Sequence, residues 1–132
     1  VLTELIAFLV QVTDRLVYGQ LSEDHRRLFI NALGKHLADT MANNQLDLLG
    51  PGEYRAPFIA ALNARARDYA ACEYRTDGPG YAFLRCLGER VSDAMAVTDN
   101  KWVIEHVMEI EAPEMLRPLK RAVGEVLGVK AG

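Results

Sequence analysis

Apolar residues recur at three- and four-residue spacing in six separate stretches of this chain, and glycine or proline stands between most of them. An α-helix turns once every ~3.6 residues, so this spacing gathers the apolar side chains of each stretch on one helix face. No stretch alternates apolar and polar residues over the length of a strand between turn signals. The expected fold is therefore all-α, a single-domain bundle of five to six helices spanning residues 1–132.

The boundaries follow from caps and breakers. A first helix is expected over residues 3–18, stopped by Gly19. A second opens on Ser22 as N-cap, with Glu23 and Asp24 suited to the positive end of its dipole. Its inner face is Phe29, Ile30, Leu33, Leu37 and Met41, and it is expected to fray by Asn43 or Asn44. Residues 46–55, with Gly50-Pro51-Gly52, then read as a loop. Pro57 suits the first turn of an alanine-rich third helix that ends before Asp77. The fourth is expected over residues 79–95, with Gly88 at its middle marking a close helix crossing. The fifth, capped by Thr98 or Asp99, is apolar almost all round and is expected to be central until Ala112-Pro113 stops it. The sixth covers residues 113–127, with Pro118 expected to disturb its first turn.

With 132 residues, half of them hydrophobic, the chain can bury a core without disulfide or metal staples. Its net charge of -3 argues against a dedicated nucleic-acid binder, which shows a basic face. The basic residues Arg26, Arg27, Arg65, Arg67, Arg117, Lys120 and Arg121 are interleaved with acids and read as solvated. The apolar run over residues 5–10 is too short to span a bilayer and lacks the flanks of a signal peptide, so a cytoplasmic protein is expected. Cys72 and Cys86 fit no zinc spacing and read as reduced thiols.

Chemistry-bearing residues are sparse. His106 and Glu109, three apart on one helix, can share a face, and with Trp102 they form the candidate ligand site. A helical di-metal centre needs a second Glu–His pair, which the chain lacks, so no metal and no cofactor is expected. Glu105 and Glu109 repel one another at four-residue spacing and call for a cation, for which Arg65, Arg85 and Arg90 are candidates. His25 and His36 lie about 16 Å apart along one helix, too far to share a ligand. The expected haem-protein arrangement of an axial histidine is not evident. Neither Ser22 nor Ser92 sits in a nucleophile elbow. The loop from Asp77 to Tyr81 is rich in glycine and leads into a helix, but it lacks the pattern of a phosphate loop.

The reading these residues favour is a non-enzymatic helical module that binds another protein or a second copy of itself. Its expected docking face is the surplus apolar surface of the first helix at Phe8, Val10 and Val17. The alternative is a ligand-binding or enzymatic domain with its site at Trp102, His106 and Glu109.

Overall fold

The first helix, α1 (Leu2–Val17), is the hub of the fold, with helices packed on two sides of it. The computed structural model describes residues 2–75, 78–95 and 101–127. Along the chain α1 is followed by α2 (Glu23–Leu49), α3 (Arg55–Ala70), the two-residue strands β1 (Tyr74–Arg75) and β2 (Gly78–Pro79), and α4 (Tyr81–Met95). A last rod comprises α5 (Lys101–His106), a π-helical turn (Val107–Glu111) and α6 (Ala112–Leu127), which follow without a break. The architecture is all-α, with one antiparallel pairing of Tyr74 with Pro79 and Arg75 with Gly78 between α3 and α4. None of these helices is long and apolar enough to cross a membrane.

The wide apolar stripe of α1 is explained by its two neighbours. One face of α1 meets α4, the π turn and α6 in the main core, where Phe8, Val12, Tyr69, Phe83 and Leu87 are fully buried. The other face meets α2 and α3 through Ala7, Ala38, Phe58 and Leu62. Aromatic rings lock the main core. Phe83 lies 5.6 Å from Phe8 edge-on, 4.6 Å from Tyr69 and 6.0 Å from Tyr74. Such offset and edge contacts add to the area the rings bury.

Phe8, Val10 and Val17, expected to form an outward docking face, are instead buried inside the fold. Phe8 packs in the main core against Tyr69 and Phe83, so the chain's own helices take up this surface. That corrects the expectation of exposure and removes α1's middle as an available surface. The expectation that the fifth helix is central is also corrected. Val103, Ile104 and Val107 point inward, but Trp102 is 60% exposed and Ile110 is exposed as well.

Other boundaries moved for local reasons. Ser22 caps α2 as expected, accepting the His25 backbone N–H at 3.2 Å. The helix does not fray at Asn43 or Asn44 but continues to Leu49. It stops where Gly50 adopts φ +85° and donates its N–H to the Leu46 carbonyl at 3.0 Å. A glycine tolerates that left-handed geometry without the steric penalty of a Cβ. Pro113 does not stop the last rod, and α6 runs through Pro118. The Ala112 N–H bonds to the Val107 carbonyl, five residues back, so the turn before Pro113 is wide. A wide turn relieves the clash between a proline ring and the carbonyl four residues earlier. Thr98 and Asp99, the expected caps of the fifth helix, lie outside the described residues.

Gly88 does mark a close crossing. A Cβ placed on it would lie 3.0 Å from Ile104 Cγ2 and 3.2 Å from the Ile104 Cα and carbonyl oxygen. Thus the α4 backbone at Gly88 approaches both the backbone and the side chain of Ile104 on α5.

Candidate functional site

Trp102, His106 and Glu109 all lie on the last rod, and all three are exposed. The π turn decides which of them meet. His106 Nε2 lies 3.0 Å from Glu111 Oε1, five residues on. The expected partnership of His106 with Glu109 is replaced by this one, because the wide turn advances the register by a residue. Among the described residues, no three His, Cys, Asp or Glu side chains converge to hold a metal ion.

The arginines expected to answer Glu105 and Glu109 are engaged elsewhere. Arg65 Nε lies 3.2 Å from Glu4 Oε2, and its guanidinium also bonds Asp68. Arg90 reaches Asp68 at 3.4 Å and Asp93 at 3.9 Å. Arg85 pairs with Glu89 at 2.9 Å. Glu105 and Glu109 stay exposed at the surface, so the expected inter-helix contact is not formed. The arginine network instead ties α1, α3 and α4 together near the Cys86 thiol. Burial pushes that thiol above its ordinary pKa, against the opposing pull of Arg90. Cys72 and Cys86 are both free and half-buried, and a protonated Cys86 is a poor nucleophile. His25 and His36 are both exposed on α2.

The sequence reading did not single out Arg15, which performs a structural task between distant segments. Its guanidinium donates to the carbonyls of Tyr69 at 3.0 Å, Cys72 at 3.2 Å and Ala70 at 3.4 Å. It thereby caps the C-terminal end of α3 from a residue on α1, and it lies 5.6 Å over the Phe83 ring. No local pattern could reveal this, because 54 residues separate donor and acceptor at the closest bond.

One group of exposed apolar side chains lies at the far end of α2. This helix of 27 residues is about 40 Å long, against about 24 Å for the 16-residue α1 beside it. A short connection joins them, so the end of α2 lies beside the start of α1 and its last turns lack a full-length neighbour. Leu48 is 82% exposed, Leu49 70% and Leu2 57%. These three, with Met41, line a groove of about 660 Å³ whose walls carry one carboxylate, Asp47, and no cation among the described residues. Thr3 and Gln45 also line an adjoining cleft of about 170 Å³ that reaches Tyr54 and Phe58. Tyr54 closes the joint by donating its hydroxyl to the Gly50 carbonyl at 2.8 Å. Gly50 followed by Pro51 is a helix-stop signal that the sequence reading assigned to the interior of a loop. Placing the stop there would have put Leu46, Leu48 and Leu49 on the helix.

A second cleft, of about 400 Å³, lies between β2, the start of α4 and α6. Neither cleft is lined by Trp102, His106 or Glu109.

Comparison of the chain with protein-family models, with curated proteins and with solved structures found no match.

Proposed function

We propose that this chain is a helical interaction module that pairs with a second copy of itself through the groove between the end of α2 and the start of α1. The observation that carries the reading is the exposure of Leu48 and Leu49 beside a groove lined by Leu2 and Met41. Large apolar side chains grouped around a concave surface are a mark of a partner site.

A two-fold pairing needs one surface that is complementary to itself. Here the two most protruding leucines adjoin the recess that could receive them, so each copy would offer both a projection and a hollow. A single carboxylate in the lining keeps the desolvation cost low, as in the charge-poor centres of protein interfaces. Fully burying a leucine contributes about 1.5–3 kcal/mol, and two-fold symmetry counts each side chain twice. That sum is of the size needed to offset the ~4–15 kcal/mol cost of immobilising two chains.

The alternative of a ligand site at Trp102, His106 and Glu109 has less support. These side chains face solvent, and His106 is engaged with Glu111 rather than Glu109.

Sedimentation velocity over a dilution series tests the proposal. A concentration-dependent dimer is expected, and Leu48→Glu with Leu49→Glu should convert it to a monomer while the helical circular dichroism is retained. A protein that stays monomeric at every concentration reached, or a dimer that survives the double substitution, would overturn it.

A further inference from the structure

The two cysteines of the chain, which self-association leaves unused, come together where α3 leads toward α4. Cys72 lies just past α3, with its Sγ 3.6 Å from the Asp68 carbonyl one turn earlier. Cys86 lies in α4, one turn before Arg90. Arg90 crosses to the Asp68 carboxylate at 3.4 Å. Residues four apart on a helix are neighbours on one face, so the ion pair between Asp68 and Arg90 places both thiols on the sides where the two segments meet. Tyr69 stands at the same junction. Its ring lies 4.6 Å from that of Phe83, one turn before Cys86, and its hydroxyl is beside the Cys86 thiol. Both cysteines pack against the same core cluster. They are near enough that a negative charge on Cys72 would oppose the ionisation of Cys86.

The backbone around Cys72 is held from two directions. Arg15 donates to the Cys72 carbonyl at 3.2 Å and to that of Tyr69 at 3.0 Å. The next residue, Glu73, accepts the Gly80 N–H at 2.9 Å. A Cβ on Gly80 would lie 2.9 Å from the same carbonyl oxygen, so the segment after α3 is pressed against the start of α4. Two thiols fixed beside one another react together as if at high concentration, which distinguishes a dithiol from two inert small hydrophobes.

We propose that Cys72 and Cys86 form an oxidation site, a dithiol that a peroxide converts to an intramolecular disulfide between the end of α3 and the middle of α4. Cys72 attacks first, because burial holds the proton on Cys86. Its thiolate sulfur bonds to one peroxide oxygen as the O–O bond breaks, and the departing hydroxide takes a proton to become water. Cys72 is then a sulfenic acid. The Cys86 sulfur attacks the Cys72 sulfur, the S–O bond breaks, and the hydroxide leaves as water with the proton of Cys86. Two electrons pass from the sulfurs to one hydrogen peroxide, which is reduced to two molecules of water. The new bond closes the loop 72–86 and staples α3 to α4, which restricts the unfolded chain and raises stability.

Peptide mapping after treatment with one equivalent of hydrogen peroxide tests this. Free thiols are alkylated, and the chain is cut with trypsin without reduction. Cleavage after Arg67, Arg75, Arg85 and Arg90 places Cys72 in the peptide 68–75 and Cys86 in the peptide 86–90. The two peptides are expected joined, from a chain lighter by two hydrogen atoms and of monomer mass, and dithiothreitol should separate them. The thermal midpoint of the oxidised chain should rise by about 5 °C or more and return on reduction. Cys86→Ser should leave a sulfenic acid at Cys72 that dimedone traps, and Cys72→Ser should form none at Cys86. The proposal is overturned if the peptides stay separate, if they join only between two chains, if the joined form unfolds at a lower temperature, or if the trapped sulfenic acid is at Cys86. Neither cysteine lines the α2 groove, so this test and the self-association test fail separately.

Discussion

His106 and Glu111 meet at 3.0 Å across a π-helical turn, a pairing of residues five apart that a regular α-helix would not bring together as neighbours. The turn lies immediately before Ala112-Pro113, so the proline and the widened backbone form one feature. Both side chains are about half exposed, and an exposed pair contributes little. His106→Ala and Glu111→Ala are each expected to cost less than about 1 kcal/mol in urea denaturation. A loss well beyond that would mean that the pair holds the wide turn in place.

Gly88 and Gly34 should respond in opposite directions to the same substitution. Gly88→Ala gains helix propensity, worth about 1 kcal/mol, but drives a methyl against Ile104 Cα and carbonyl oxygen, which cannot move aside as a flexible side chain would. A net loss of about 1–2 kcal/mol is expected. Trimming Ile104 should not restore it, because the backbone atoms remain. At Gly34 the nearest atom, Leu62 Cδ1, lies 3.9 Å away, so Gly34→Ala should stabilise by about 0.5–1 kcal/mol. Thermal and urea unfolding of both variants measure the contrast.

Arg15→Ala removes the donor for three carbonyls at the end of α3 and the cation over Phe83. Hydrogen bonds to charged groups contribute about 1.5–3 kcal/mol, so a destabilisation of that order is expected. Arg15→Lys should recover only part of it, since an ammonium cannot span the same set of acceptors. Hydrogen exchange at the end of α3 would show whether the loss is local to that segment.

Tyr69 should make the fold sensitive to alkali. Its ring is fully buried, and its hydroxyl makes no hydrogen bond with a described residue. Burial pushes the phenol well above its ordinary pKa, with the Cys86 thiol and Glu4 adding to the shift and Arg65 opposing it. Above pH about 10 the unfolded chain releases the tyrosine proton while the folded chain retains it. The unfolded state then binds fewer protons, so stability is complete below that pH and falls as pH rises beyond it. One such group contributes a slope of up to about 1.4 kcal/mol per pH unit. Tyr69→Phe should flatten the slope and cost little near neutrality, because the hydroxyl it removes is buried without a strong hydrogen bond and has at most the Cys86 thiol beside it. An unchanged alkaline slope in that variant would assign the effect to Tyr74 and Cys86, which burial also raises.

The three residues first expected on a docking face give a sharp control for self-association. Phe8→Ala should cost about 3–5 kcal/mol as a core cavity, with folding and assembly lost together. Leu48→Glu should alter assembly with little effect on the stability of the monomer, because that side chain is mostly in water. Equal destabilisation by both substitutions would place Leu48 in a packed environment.

The amino-acid sequence by itself determined the local architecture of this protein. Helical periodicity named the helical segments and Ser22 capped α2, because each of these depends on residues within a turn or two of one another, and Gly88 announced a close crossing without naming Ile104 as its partner. Tertiary structure decided what those segments face. The second apolar side of α1 could belong to a partner or to the chain itself, and only the packing of α2 and α3 against Ala7 assigned it to the chain. That assignment moved the exposed leucines to the end of α2, where a longer helix outruns a shorter one. It likewise took Arg65 and Arg90 to Asp68 rather than to Glu105 or Glu109, and brought Arg117 and Lys120 into one cleft with Gly78, far earlier in the chain. The physical reason is common to all of these: periodicity records that a side chain is apolar or charged, whereas its partner is chosen by helices that are distant in the chain and adjacent only after packing.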